Sequence, residues 1–354
     1  MSFENPKDEF SQNLGNKEAH SSISKVSFGE KIDEEEKKLL MEGFEFVFQK
    51  QGEHKEFIKS LAQNNPDNAP AEHLKVVFFE KEKDETEKKI IDLVNEETNK
   101  TRREFSLPEL NIPYENIYLV KHDAPWPADS IEGFYSSMDQ FLAIKEKKLS
   151  GKEYPKIVFA KNLIHEMIHF KTFNSVKGNN DFLDVKPYKE GLKTFPIREE
   201  QSFFEDLNEA VVEKLTIEIL EKLKNNPLFQ EEVEQTEMLK NFYQEHAPSV
   251  VDGSEYYLEL FSDHGKNILW KESFTRKEER EILDTLLEKI WKKNKSAFPD
   301  KEIVFQYFKK AAFTGNLIPL FRLIDETFGP KTSRTLAQKS GRPNEIKEFV
   351  FNLK

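Results

Sequence analysis

The sequence predicts an α+β chain, with a small mixed sheet and a histidine-bearing helix in the first half and a mostly helical second half. Three observations carry this. Short β-branched and aromatic runs at 116–120, 133–135 and 141–144 have the length and composition of strands. The stretch Leu163-Ile164-His165-Glu166-Met167-Ile168-His169-Phe170 has helical spacing and is apolar on nearly every side. From Ser202 onwards the helical period recurs, broken at Asn225-Asn226-Pro227, Ala247-Pro248, Phe298-Pro299 and Gly329-Pro330.

Three parts are expected in chain order. Residues 1–34 are rich in Ser, Asn, Lys and Glu, lack periodicity and read as a disordered tail. Residues 35–172 form an N-terminal α/β part with an edge strand and the histidine helix, and residues 173–354 a mostly helical part. Leu39, Leu40, Phe44, Val47 and Phe48 predict a helix over 35–50. A weaker one follows at 54–63 and ends at Asn64-Asn65-Pro66-Asp67. Residues 75–79 read as a strand and 86–105 as a helix with Ile90, Ile91, Leu93 and Val94 inward. Pro125, Trp126 and Pro127 stiffen a loop before the strands at 133–135 and 141–144. The polar segment 171–198, with Gly178, Pro187, Gly191 and Pro196, is too long for an ordinary connection and is a candidate functional loop. Helices are expected near 203–224, 229–244, 254–263, 276–294, 301–313 and 316–328, with one short helix in 331–354.

A chain of 354 residues suits one large domain or two ordinary ones. Its formal net charge of -12 argues against a nucleic-acid partner, because phosphate binding needs clustered Lys and Arg. Runs such as Lys145-Glu146-Lys147-Lys148 are short and read as solvated faces. Cysteine is absent, which excludes disulfides, thiolate zinc sites and cysteine nucleophiles and fits a reducing compartment. No secretory signal and no run of eighteen apolar residues is seen, so a cytoplasmic protein without a membrane partner is expected. Nothing in the pattern specifies an oligomeric state.

Two histidines four apart lie one above the other on a helix, within reach of one metal ion. The residue after the first points about 100° away, where a carboxylate can take a proton from a water in front of the metal. On the helical wheel only the sector of Asn162, His165, Glu166 and His169 is polar. Such a helix is buried, and a metal would satisfy both imidazoles together. A catalytic zinc takes three protein ligands and a water. The metzincin extension would require Gly at 172 and His at 175, but Thr172 and Ser175 stand there. The other solution is a carboxylate from a following helix. Glu209 shares an apolar stripe with Val212, Thr216, Leu220 and Leu223, so it is the expected third ligand. Glu205 lies one turn earlier, near the loop. Glu213, one turn later, reads equally as a support for a ligand histidine or as a solvent-facing charge beside Lys214.

His165-Glu166-x-x-His169 followed by Asn208-Glu209-x-x-x-Glu213 resembles the gluzincin zinc metallopeptidases. The resemblance implies a zincin-like fold, in which a strand before the active-site helix lines the cleft, here within 134–144. It also implies one zinc per chain held by His165, His169 and Glu209, a peptide or protein substrate, and Glu166 as general base for peptide-bond hydrolysis. His246, Tyr256, Tyr257 and His264 are candidates for stabilising the oxyanion, each more simply ordinary surface or core. Trp126 could line a specificity pocket but reads better as a packed loop anchor. His122 beside Asp123 has no nucleophile near it. Residues 311–316 read as a helix-to-helix turn. Residues 1–110 could cover the cleft as a pro-segment, though an integral part of the fold is the plainer reading. Two rival functions remain at this stage. One is a catalytically silent zincin-fold binding protein, which the intact Glu166 disfavours. The other is a helical interaction protein with an accidental H-E-x-x-H.

Overall fold

The computed structural model describes residues 18–28, 34–64, 71–121, 124, 126, 132–146, 155–178, 185–196, 201–246, 255–261, 267–273 and 276–354. Strand β1 (Ile23–Phe28) precedes helices α1 (Glu34–Gln49), α2 (Gln51–Asn64) and α3 (Glu85–Glu104). Strands β2 (Ile117–Val120), β3 (Gly133–Ser136) and β4 (Phe141–Lys145) lead into helix α4 (Lys156–Lys171). Strands β5 (Asn174–Gly178), β6 (Val185–Glu190) and β7 (Lys193–Thr194) then lead to α5 (Glu205–Leu223) and α6 (Gln230–His246). A hairpin of β8 (Glu255–Phe261) and β9 (Asn267–Ser273) is followed by α7 (Lys277–Lys293), α8 (Lys301–Thr314), α9 (Ile318–Phe328), α10 (Thr332–Gln338) and α11 (Pro343–Asn352). The architecture is mixed α+β: helices predominate, and the sheets are small.

The sheet beside the histidine helix has the order β2-β4-β3, with β2 parallel and β3 antiparallel to β4. Ile117, Tyr118, Leu119 and Val120 in β2 and Phe141, Leu142, Ala143 and Ile144 in β4 are all buried. Continuous apolar runs suit strands covered on both faces. β3 is half-buried and forms an edge. Helix α4 packs on this sheet and between α3 and α5, and α5 packs in turn on α7. One hydrophobic cluster runs from Phe48 and Ile90 through α4 and α5 to Ile346 and Val350, across the boundary at 172.

Both ends of α4 are satisfied from elsewhere in the chain. At its start, the Glu232 carboxylate on α6 accepts from the amides of Lys156 at 3.0 Å and Ile157 at 2.8 Å. An anion there meets free N–H groups and the positive end of the helix dipole. At its end, Thr172 Oγ1 donates to the His169 carbonyl at 2.8 Å, and Asn174 Nδ2 donates to that of Phe170 at 3.1 Å. The fully buried Lys171 ammonium donates to Asn95 O at 3.0 Å, Thr98 Oγ1 at 2.8 Å and Asn99 Oδ1 at 3.1 Å, all on α3. Arg102 of α3 donates to the Lys171 carbonyl. With Ile90, Ile91 and Val94 also buried against the core, α3 packs as an integral part of the fold.

Several expectations are corrected. Residues 75–79 are not a strand but belong to a 3-10 helix, Glu72–Phe78, that buries Val76 and Val77. Beyond the single bridge from Glu80 to Val120, no strand runs alongside to pair with them among the described residues. Residues 254–263 are not a helix: Glu255–Phe261 pairs antiparallel with Asn267–Ser273, a contact that local spacing cannot reveal. The segment 171–198 is not a structureless loop. It folds as β5, β6 and β7 in a sheet ordered β1-β5-β6-β7. Its first neighbour, β1, comes from the expected tail; it pairs parallel with β5 and buries Ile23 and Val26 with Phe44 and Val176. The remainder of that tail, 1–17 and 29–33, lies outside the described residues. The segment 331–354 holds two helices, α10 and α11. Among the described residues no helix is long and apolar enough to cross a membrane.

The β5–β6 hairpin is fastened to the helical half. The Phe173 amide donates to Ala312 O at 2.9 Å, and Lys189 donates to the Gly315 carbonyl with its ammonium 5.5 Å from the Phe173 ring. Burial pushes the Lys189 amine down to about 8. The unfolded chain therefore holds this proton more tightly than the folded one, and stability rises with pH from about 8 towards the free-lysine value of about 10.4. Between about pH 7.5 and about pH 9.5, the unfolding free energy should rise about 1–2 kcal/mol more in wild type than in Lys189→Met, measured by urea denaturation at each pH. Equal slopes would contradict the assignment.

Candidate metal centre

Helix α4 brings His165, Glu166 and His169 against α5, which carries Glu209 and Glu213. The two Nε2 atoms of His165 and His169 stand 3.2 Å apart. One Glu209 oxygen is 3.6 Å from His165 Nε2, and the other is 3.5 Å from His169 Nε2. The carboxylate separations are too long for good hydrogen bonds. The three separations, the two from Glu209 running to its two different oxygens, are of the order found between donors that share one ion, about 3.3 Å for bonds of about 2.0–2.1 Å. Among the described residues these three side chains form the group whose ligand atoms, all within 4.8 Å of one another, can hold a metal ion.

The surroundings fix the orientation of each donor. His165 Nδ1 donates to Glu213 Oε2 at 2.9 Å, which leaves its Nε2 facing the cluster. Glu213 is 1% exposed, so the solvent-facing reading of this residue falls. Its other oxygen, Oε1, has no hydrogen-bond partner, a cost that only a net gain at His165 can offset. The Tyr135 ring from edge strand β3 lies parallel to the His169 ring, at 4° and 5.3 Å between centroids. Burial and the Glu190 carboxylate, with which it hydrogen-bonds, hold the Tyr135 phenol well above its ordinary value. Glu190 also accepts from Ser137 Oγ at 3.1 Å.

Charge balance argues for a cation. Burial opposes a charge on His165, but the Glu209 and Glu213 carboxylates beside it outweigh this and raise its pKa to about 10. Burial likewise opposes ionisation of Glu209, and the two imidazoles reverse this, holding its carboxyl well below the usual range. The cluster thus keeps a positive charge at its centre, and a divalent ion would serve there in place of a proton. Burial raises the Glu166 carboxyl, with His165 and His169 opposing it. That carboxyl sits against β3: a Cβ on Gly133 would come within 2.8 Å of Glu166 Cγ and 3.0 Å of its Oε1. Glycine at 133 leaves the room that Glu166 occupies.

The segment 171–208 positions the α5 side. The Asn208 side-chain oxygen accepts from the Leu192 amide at 2.8 Å and lies against Gly191, whose φ of +60° suits glycine. Asn208 therefore ties the β6–β7 turn to the helix one residue before Glu209. Glu205 is engaged with Lys193 at 2.9 Å and Ser202 at 2.5 Å, outside the cluster. Asn162 donates to Glu132 Oε2 at 3.1 Å. The Trp126 ring packs at a tilt of 57° against Phe134, with centroids 5.3 Å apart, as a packed anchor would.

Of the oxyanion candidates, His246 ends α6, exposed, with Nδ1 bonded to Phe242 O at 2.8 Å. Tyr256 and Tyr257 lie on β8, of which only the backbone course is described, and His264, His122 and Asp123 lie outside the described residues. Sequence reasoning missed Tyr135, Glu190, Gly133 and Arg276. Arg276 Nη2 lies 3.5 Å from Glu209 Oε2. Each reaches the site through a contact between distant segments, which no local pattern signals.

In comparisons with known proteins, no family model matches the chain, no curated protein matches it and no solved structure matches it.

Because a proton on His165 with a pKa of about 10 must leave before a metal binds, zinc titrated into metal-free protein near pH 8 should release at least one proton. Calorimetry in two buffers of different ionisation enthalpy reads this number. Glu213→Gln should weaken zinc binding about 10–100-fold and release fewer protons. Zinc binding indifferent to buffer and to this substitution would refute the arrangement.

Proposed function

We propose that this chain is a zinc-dependent peptidase with a zincin-like arrangement of the gluzincin kind. The observation that carries the reading is the convergence of His165 Nε2, His169 Nε2 and the Glu209 carboxylate, with Glu166 alongside on the same helix. An accidental H-E-x-x-H would not by itself bring a third carboxylate from another helix within reach of both imidazoles. The donor set, two imidazoles and one carboxylate, suits a catalytic zinc with one position left for solvent. When bound there, zinc supplies Lewis-acid activation of a water and of the substrate carbonyl.

The chain's own residues supply the rest. Glu166 takes a proton from the attacking water as its oxygen bonds to the peptide carbonyl carbon. It passes that proton to the amine nitrogen as the C–N bond breaks. Its raised pKa, caused by burial, makes it able to hold the proton between the two events. Glu213 orients His165, and the Tyr135 ring packed on His169 orients the second imidazole. Strand β3 pairs with β4 on one side and is an edge of its sheet, so its outer N–H and C=O groups suit an extended peptide laid alongside. The lack of cysteine agrees with work in a reducing, cytoplasmic compartment, which is part of the same proposal.

The deciding experiment incubates zinc-loaded wild type and Glu166→Gln with an unfolded protein substrate and reads new peptide termini by mass spectrometry. Wild type should cleave. Glu166→Gln should bind zinc as before and lose activity by about 100–10,000-fold, the usual share of a general base. Equal products from both would remove Glu166 from the mechanism, and no cleavage by zinc-loaded wild type would point to a silent binding protein.

Gly133→Ala provides a second check. Its methyl meets Glu166 Cγ at 2.8 Å and Ile144 Cδ1 at 2.9 Å, so Glu166 must shift. Turnover should fall by about 100-fold, the usual scale for a displacement of about 1 Å, while zinc content stays at one per chain. Unchanged turnover would mean that Glu166 does not act from this position.

A further inference from the structure

Helix α7 begins at Arg276, which has φ +59° and ψ +38°, in the left-handed region. An L-residue with a Cβ pays about 1–2 kcal/mol for that conformation, and glycine or asparagine would hold it more easily. Strain of this kind persists where the surroundings impose it and clusters at functional sites. Here the Arg276 side chain reaches the candidate metal cluster. Arg276 Nη2 is 3.5 Å from Glu209 Oε2, and Nη1 is 3.4 Å from Glu279 Oε1. Both contacts are long, each uses one nitrogen, and a guanidinium carries five N–H donors. The side chain is about half exposed, so the remaining donors are open to solvent and to a ligand.

The position of its side chain indicates which side of the cluster it faces. Arg276 Nη2 approaches Glu209 Oε2, the oxygen that also faces His165 Nε2, and the side chain is about half exposed whereas Glu166 and His169 are buried. A cation at the exposed margin of the cluster stands on the side from which a substrate must reach the base. That side is where negative charge develops on the carbonyl oxygen as water adds to a peptide bond. A charged donor held there in advance is the arrangement that stabilises an oxyanion most.

We propose that Arg276 is the oxyanion-stabilising group of the peptidase reaction, its guanidinium hydrogen-bonding the tetrahedral carbonyl oxygen that forms when water adds. The inference rests on the zinc-peptidase reading and assigns to Arg276 the role that His246, Tyr256, Tyr257 and His264 were considered for. When the tetrahedral species collapses, the C–N bond breaks, the carboxylate leaves and the guanidinium keeps its protons throughout. It acts as a donor and not as an acid.

The test uses the full chain loaded with zinc, with Arg276→Asn and Arg276→Gly as the variants and Arg276→Lys as the conservative one. Both Asn and Gly accept left-handed backbone, so the fold is expected to keep or raise its Tm, and a lost function is not a lost structure. The first readout is binding and does not require turnover: inorganic phosphate as a tetrahedral oxyanion probe and acetate as a planar one, each titrated by calorimetry. Arg276→Asn should weaken phosphate at least 10-fold and acetate by less than 3-fold, with zinc affinity unchanged. The second is kinetic: kcat should fall about 100–1,000-fold with KM within about 3-fold, and Lys should recover part of it. Unchanged phosphate affinity in zinc-loaded Arg276→Asn overturns the inference alone. Equal weakening of phosphate and acetate overturns it in favour of a carboxylate-binding role. A protein that takes up no zinc fails the metal reading, and this inference with it.

Discussion

Helix α4 is buried along almost its whole length, and this burial constrains everything around it. Fourteen of its sixteen residues are buried, among them Lys161, Asn162, Glu166, His169 and Lys171. A polar group removed from water costs about 1–3 kcal/mol if left without a partner, and a charge costs more. Three of the helices around α4 carry matching groups. α6 supplies the Glu232 carboxylate to its first amides, and α3 supplies three oxygens to Lys171. α5 supplies Glu209 and Glu213 to the imidazoles. The apolar part of the helix holds these elements together, and its polar part dictates which residues they place against it.

That arrangement gathers two imidazoles and two carboxylates into one cluster, of which His165, His169 and Glu209 could share a cation. Glu213 Oε1 has no hydrogen-bond partner there. A proton on His165 balances the charge in part, and a divalent ion would balance it with better geometry. The same reasoning explains Gly133, which leaves space for Glu166, and Asn208, which locks the approach of the β6–β7 turn to α5. Two helices that contribute side chains to the site also begin at left-handed residues other than glycine: Phe204 before α5 and Arg276 before α7. The conformation costs stability at both starts, and in each case it sets the direction from which the helix enters the site.

The segment between His169 and Glu209 was the longest unexplained stretch in the sequence, and its described residues include three strands of one sheet. Its strands have few apolar residues because the sheet has neither the length nor the cover of a core sheet. It is stabilised by pairing with β1 and by fastening to the turn after α8. β1 itself is a polar strand with only Ile23 and Val26 well buried, so composition alone placed it in a disordered tail. Likewise β8 forms from a segment whose residue spacing also suits a helix. For β1 and β5 the missing information was a partner strand far away in the chain, and for β8 it was the neighbouring strand of a hairpin.

The sequence alone determined the elements whose signal is local. The apolar helix with its single polar sector, the two strands at 117–120 and 141–145 and the helices of the second half all follow from periodicity, because one turn or one pleat fixes which residues share a face. The donors His165 and His169 and the base Glu166 were legible for the same reason, since their spacing is a property of one helix. Glu209 was legible from its stripe on the next helix, and its meeting with the histidines needed α5 to pack against α4. Glu213, Tyr135, Gly133, Glu190 and Arg276 take their places only through packing between segments that are distant in the chain. Their distances and charges depend on the crossing of α4, α5, α7 and β3, which no run of residues encodes by itself.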